Sequence, residues 1–170
     1  EVGRLQRLMA ASVAGISRRQ SILENLTLSA GDKVIDVGCG GGQLLGHLAK
    51  AVGDNGTVYG LDPSADQLRQ AKTACGEFTN ISFLERLADD TGLEDASCDA
   101  ATSTQALEYI PDVDAALTEI SRILKPGGAF VNISILWDHF GFHGAEEALN
   151  RTIIEAFKAH CSHQMLPMEL

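Results

Sequence analysis

The stretch Lys33-Val34-Ile35-Asp36-Val37-Gly38-Cys39-Gly40-Gly41-Gly42 decides the reading of this chain. Its first half is rich in β-branched residues and reads as a buried strand. The glycines behind it let the backbone turn sharply and approach a ligand where any side chain would collide. Leu44, Leu48 and Val52 then recur at helical spacing, so a strand, a glycine turn and a helix follow one another, which is the opening unit of an α/β fold.

Outward from this unit the alternation continues. A turn at Gly53-Asp54-Asn55-Gly56 leads to a second strand, Thr57 to Leu61, and Ser64 with Gln67 forms a capping-box pattern ahead of Leu68, Ala71 and Cys75. Strands are expected at Ile81 to Leu84, Asp99 to Ser103 and Ala129 to Ile135. Asp112 is the expected N-cap of a helix that Lys125-Pro126-Gly127-Gly128 ends. Further helices are expected over 16–28 and 145–160. The pattern implies a Rossmann-like, doubly wound, mostly parallel sheet with helices on both faces, since parallel neighbours need crossovers and the crossovers cover the sheet. In such sheets ligands bind beyond the carboxyl ends of the strands. The conspicuous glycine and polar clusters all fall at those ends.

The chain has 170 residues, too few for two sizeable cores, so a single domain over 1–170 is expected. Thirteen Lys and Arg against 23 Asp and Glu give a formal charge of −10. That field repels polyanions and argues against nucleic acid as a partner. Ala129 to Trp137 is the longest apolar stretch and is too short to span a bilayer. The four cysteines, Cys39, Cys75, Cys98 and Cys161, form no C-x-x-C pair. A reducing cytoplasm and no metal site are therefore expected.

The glycine loop does not suit a nicotinamide dinucleotide. Gly38-x-Gly40-x-x-Gln43 lacks the third glycine of that fingerprint, and Asp36 would face a pyrophosphate with the wrong charge. Asp36 suits a cationic ligand instead. Asp62, twenty positions past Gly42, ends the second strand where a carboxylate can take both hydroxyls of a ribose. A ribose joined to a cation without phosphate describes S-adenosylmethionine.

Three blocks in order, Val34 to Gly42, Gly60-Leu61-Asp62-Pro63-Ser64, and Ala106-Leu107-Glu108-Tyr109-Ile110-Pro111-Asp112 through to Lys125-Pro126-Gly127-Gly128, resemble the class I S-adenosylmethionine-dependent methyltransferases. The similarity is nearest to the small-molecule group that includes the ubiquinone and menaquinone C-methyltransferases. The resemblance implies that Asp36, Gly38, Cys39 and Gly40 line the methionine portion of the cofactor, that Asp62 binds the ribose and that Pro63 edges the adenine. Ala88 would meet the adenine through its backbone, flanked by Leu87 and Asp89, with Ser103 and Gln105 contributing from the end of the fourth strand. Leu87 departs from the family, which carries an acidic residue there as an acceptor for the adenine amino group, and Asp89 is the nearest substitute. The implied organisation is a helical cap over 1–29, a cofactor-binding core over 30–136, and an aromatic loop, helix and tail over 137–170. The family fold continues with a final antiparallel strand pair, so the chain is expected to be truncated before it, leaving the fifth strand as an edge open to self-association.

The segment Trp137-Asp138-His139-Phe140-Gly141-Phe142-His143 packs three aromatics and two histidines beyond the fifth strand. It is expected to wall the acceptor pocket, with His139 and His143 as the candidate catalytic bases. Ser103-Thr104-Gln105-Ala106 stands where nucleic-acid amino-methyltransferases carry an Asp/Asn-Pro-Pro-Tyr-like block, which favours a small-molecule acceptor. The competing reading is a non-catalytic binding or scaffold protein built on the same fold.

Overall fold

The computed structural model describes residue 8, residues 11–136, residues 139, 141 and 144, and residues 146–163. Helix α1 (Val13–Leu26) precedes β1 (Lys33–Val37), α2 (Leu45–Val52), β2 (Thr57–Leu61), α3 (Ala65–Ala74), β3 (Ile81–Leu84) and β4 (Cys98–Thr104). A 3₁₀ turn (Leu107–Tyr109), α4 (Val113–Ile123), β5 (Leu124–Ile133) and α5 (Glu147–Lys158) follow. The strands are all parallel and lie in the order β3-β2-β1-β4-β5. The chain steps outward from β1 to β3 and then returns to the other side of β1, so the switch point lies between the carboxyl ends of β1 and β4.

Local chemistry sets the helix starts. Ser12 Oγ accepts the N–H of Gly15 at 3.1 Å, which starts α1 at Val13, three residues earlier than its apolar spacing suggests. Ser64 Oγ accepts from Gln67 at 3.4 Å and Asp112 Oδ1 from Ala115 at 3.0 Å, as the capping patterns imply. Two apolar layers sandwich the sheet. Val34, Val58 and Ala100 pack with Ile22 and Leu26 of α1 and with α2 and α3. Ile35, Val37 and Ala101 pack with Ala116, Ile120 and Ile123 of α4. Strand alternation thus turns Val34 and Asp36 toward the α1 side and Ile35 and Val37 away from it.

β5 begins earlier than expected. Leu124 pairs with Cys98, the register then slips, and Ala129 pairs with Ala100, so Lys125-Pro126-Gly127-Gly128 forms an irregularity within the strand. Asp99 fastens this region, accepting the Lys33 N–H at 2.9 Å and the Lys125 ammonium at 2.6 Å. Among the described residues no helix is long and apolar enough to cross a membrane.

Candidate active site

A cavity of about 780 Å³ opens over the carboxyl ends of β1, β2 and β4. Its floor is the loop behind β1. Gly38 takes φ +76°, and a Cβ there would fall 2.2 Å from Cβ of Ala106, so its glycine admits the segment that follows β4. Gly40 takes φ +52° and has nothing nearer than Gln67 Oε1 at 4.0 Å, so the loop is open to the cavity at that residue. One glycine therefore serves the fold and the other the ligand.

Two carboxylates flank the loop. Asp62, at the end of β2, accepts the N–H of Gly40 through Oδ2 and the N–H of Ser64 through Oδ1, both at 2.9 Å. A carboxylate has about four acceptor positions, so two remain after these bonds. The Gly40 N–H, which in a dinucleotide site would point at a pyrophosphate, is consumed by this carboxylate. Asp36 is 3% exposed, and burial first and the nearby Asp62 second push its carboxyl up to about 7. Burial, reinforced by Asp36, also pushes the Cys39 thiol up, which keeps it protonated and no nucleophile.

Asp36, Gly38, Cys39 and Gly40 line the cavity from β1 and its loop, Asp62 and Pro63 from the end of β2, and Leu87, Ala88 and Asp89 from the segment after β3. Leu87 is 59% exposed, whereas Ala88 is buried and packs against the α4 layer. Gln105 also lines the cavity, in the left-handed region at φ 52°, and its N–H donates to Ile133 at 2.7 Å. Ser103 departs from the expectation of cofactor contact. It lies outside the cavity wall, fully buried on the opposite face of β4, with its hydroxyl donating to the Val37 carbonyl at 2.9 Å. The alternation that turns Ser103 away brings Thr104 to the cavity. Thr104 Oγ1 is buried without a hydrogen-bond partner.

The expected aromatic wall lies mostly outside the described residues, His143 among them. His139 is exposed and is not part of the cavity lining. Among the described residues, the wall comes from elements that local periodicity does not reveal. α1 presents Gly15, Arg18 and Arg19, and the turn after β4 presents Tyr109, Ile110 and Pro111. That turn is held from behind: the N–H groups of Ser162 and His163 donate to the Glu108 carbonyl at 2.8 and 3.0 Å, and His163 Nε2 lies 3.0 Å from the Ile110 carbonyl.

The family model described as a methyltransferase domain matches residues 35–132. A demethylmenaquinone methyltransferase of Staphylococcus aureus is 35% identical over 113 residues, covering 66% of this chain and 47% of that protein. Among solved structures, an S-adenosylmethionine-dependent methyltransferase from Aquifex aeolicus superposes with a TM-score of 0.60 at 26% identity, over 64% of this chain and 58% of that one. The [4+2]-cyclase SpnF superposes with a TM-score of 0.64 at 29% identity, over 69% and 44%. The chain spans about half the length of the curated relatives it matches.

Proposed function

This chain belongs to the class I S-adenosylmethionine-dependent methyltransferases, and from that premise we propose that it transfers a methyl group to a small-molecule acceptor by in-line displacement. The carrying observation is the pair Asp36 and Asp62 on either side of a loop that opens at Gly40. The residues fit the cofactor: two carboxylates suit an ammonium and a ribose, the Gly40 N–H is withdrawn from phosphate binding, and Thr104 offers an unmet hydroxyl. When bound, S-adenosylmethionine supplies a methyl group already activated on a sulfonium.

In this reading Asp36 holds the ammonium, and Gly38, Cys39 and Gly40 floor the methionine portion. The remaining lone pairs of Asp62 take the ribose hydroxyls. Pro63 edges the adenine, which meets the backbone of Ala88 and the carboxylate of Asp89. Gln105 and Thr104 stand where the ligand passes the end of β4. The protein's task is positioning and exclusion of water, for which the apolar Leu87, Tyr109, Ile110 and Pro111 are suited. A net charge of −10 supports a small acceptor over nucleic acid. Among the described residues no cysteine forms a disulfide, which supports a reducing, cytoplasmic setting. β5 lies at the edge of the described sheet and is the surface through which copies would associate.

Isothermal calorimetry with S-adenosylmethionine and S-adenosylhomocysteine tests the reading. Saturable single-site binding of both is expected. Absence of binding by the folded protein would overturn it in favour of a scaffold role.

A further inference from the structure

Charge is unevenly placed in the cavity. Asp36 and Asp62 line it from the β1 and β2 side, Asp89 and Asp112 from the segments after β3 and β4, and α1 brings Arg18 and Arg19, the only Lys or Arg side chains in the lining among the described residues. Gly15, Arg18, Arg19, Ile22 and Leu26 fall on one face of α1, at helical spacing. Gly15, Ile22 and Leu26 are buried and both arginines are partly buried. The inward face of the helix therefore changes from apolar over the sheet to cationic at the rim. In a chain of charge −10, two adjacent guanidiniums turned inward are not a solvated face.

Arg18 is fixed in this position by a hydrogen bond from Nη1 to Gln105 Oε1. The partner is a neutral amide and uses one of the five guanidinium donors. The charges that act on Arg18 are Arg19 and Glu108, and the charge that acts on Asp36 is Asp62. The same lining carries Leu87 and Tyr109, both exposed large apolar side chains.

We propose that Arg18 and Arg19 form an anion subsite that seats the ionised carboxylate or phenolate of an otherwise apolar methyl acceptor. The inference rests on the methyl-transfer reading of the same cavity. A guanidinium offers a planar fork that matches a carboxylate, the apolar part of the lining accommodates a ring or chain, and the carboxylates elsewhere in the lining do not compete for an anion. The anionic end is thereby directed to α1. The carboxylate of the cofactor's own methionine is the other source of this chemistry, and the experiment separates the two.

Benzoate is titrated into protein saturated with S-adenosylhomocysteine, with benzamide as the neutral analogue of the same shape. Binding is followed by NMR in wild type and in Arg18→Gln/Arg19→Gln. Benzoate is expected to bind wild type more tightly than benzamide and to lose about tenfold or more in the double variant, the scale of one charge-assisted hydrogen bond. Affinities for benzamide, S-adenosylhomocysteine and 5′-methylthioadenosine are expected to be unchanged. Arg19→Gln alone, which keeps the Gln105 bond, gives the same test should the double variant not fold. Equal binding of benzoate and benzamide to wild type, or benzoate binding that the variants leave intact, would overturn the subsite. Loss of S-adenosylhomocysteine affinity without loss of 5′-methylthioadenosine affinity would overturn it too, by giving the arginines to the methionine carboxylate. Failure of wild type to bind S-adenosylhomocysteine would instead overturn the functional reading and this inference with it.

Discussion

The carboxylate of Asp62 holds the backbone N–H of Gly40 at 2.9 Å, tying the end of β2 to the tip of the loop that leaves β1. One side chain therefore shapes the loop and offers acceptors to a ligand. The two roles separate experimentally.

Asp62→Ala should weaken S-adenosylmethionine binding by about 1.5 to 3 kcal/mol, the scale of hydrogen bonds to a charged acceptor. It should also lower the melting temperature, since the Gly40 and Ser64 N–H groups lose their partner. Calorimetry and a thermal melt on the same sample read both, and an unchanged affinity in the folded variant removes Asp62 from the site.

Asp36 gives the site a pH dependence. Its folded pKa of about 7 lies above the unfolded value of about 3.9. The neutral carboxyl contributes fully below the unfolded value, and stability is lost as pH rises toward the folded one. Asp36→Asn should therefore match wild type near pH 4 and exceed it at pH 8 by on the order of 2 to 4 kcal/mol. Affinity for the cationic cofactor should run the other way in wild type, rising up to about pH 7 and then levelling. The variant should bind weakly with no such rise, and a pH-dependent affinity surviving in Asp36→Asn would assign the titration to another group.

Leu87 is exposed and lines the cavity beside Ala88. Leu87→Asp should retain or improve affinity for S-adenosylhomocysteine, because it supplies an acceptor without emptying a core position. A large loss would show that Leu87 packs on the adenine.

His139 is exposed and outside the cavity lining. His139→Asn should leave the transfer rate and its pH profile unchanged. A loss of about a hundredfold together with the acid limb would install it as a general base instead.

Strand sequences read well because their apolar residues are local. β1, β2 and β3 begin and end at the residues expected, and Ser64 and Asp112 cap as their spacing implies. β5 was legible only from Ala129 onward, since Leu124 joins the sheet through a register slip that Pro126 and the glycines conceal. The carboxylates at the strand ends stand out for the same local reason: a charged residue interrupts an apolar run. Ser103 and Thr104 do not stand out, because which of two neighbouring hydroxyls meets the cavity depends on strand parity, and the termini of β4 fix it. Arg18 and Arg19 are hidden more deeply. Their helix shows where its own faces lie, but the docking of α1 across the rim is a property of the sheet beneath it.

The bonds from Ser162 and His163 to the Glu108 carbonyl make those two amides a gauge of the cavity wall. Their hydrogens exchange with solvent only when the segment after α5 lifts from the turn that carries Tyr109 and Ile110. A ligand that grips this turn from inside raises the free energy of that opening and slows exchange at both amides, although neither lines the cavity. The far side of the wall thus keeps a record of occupancy, legible by deuterium uptake alone.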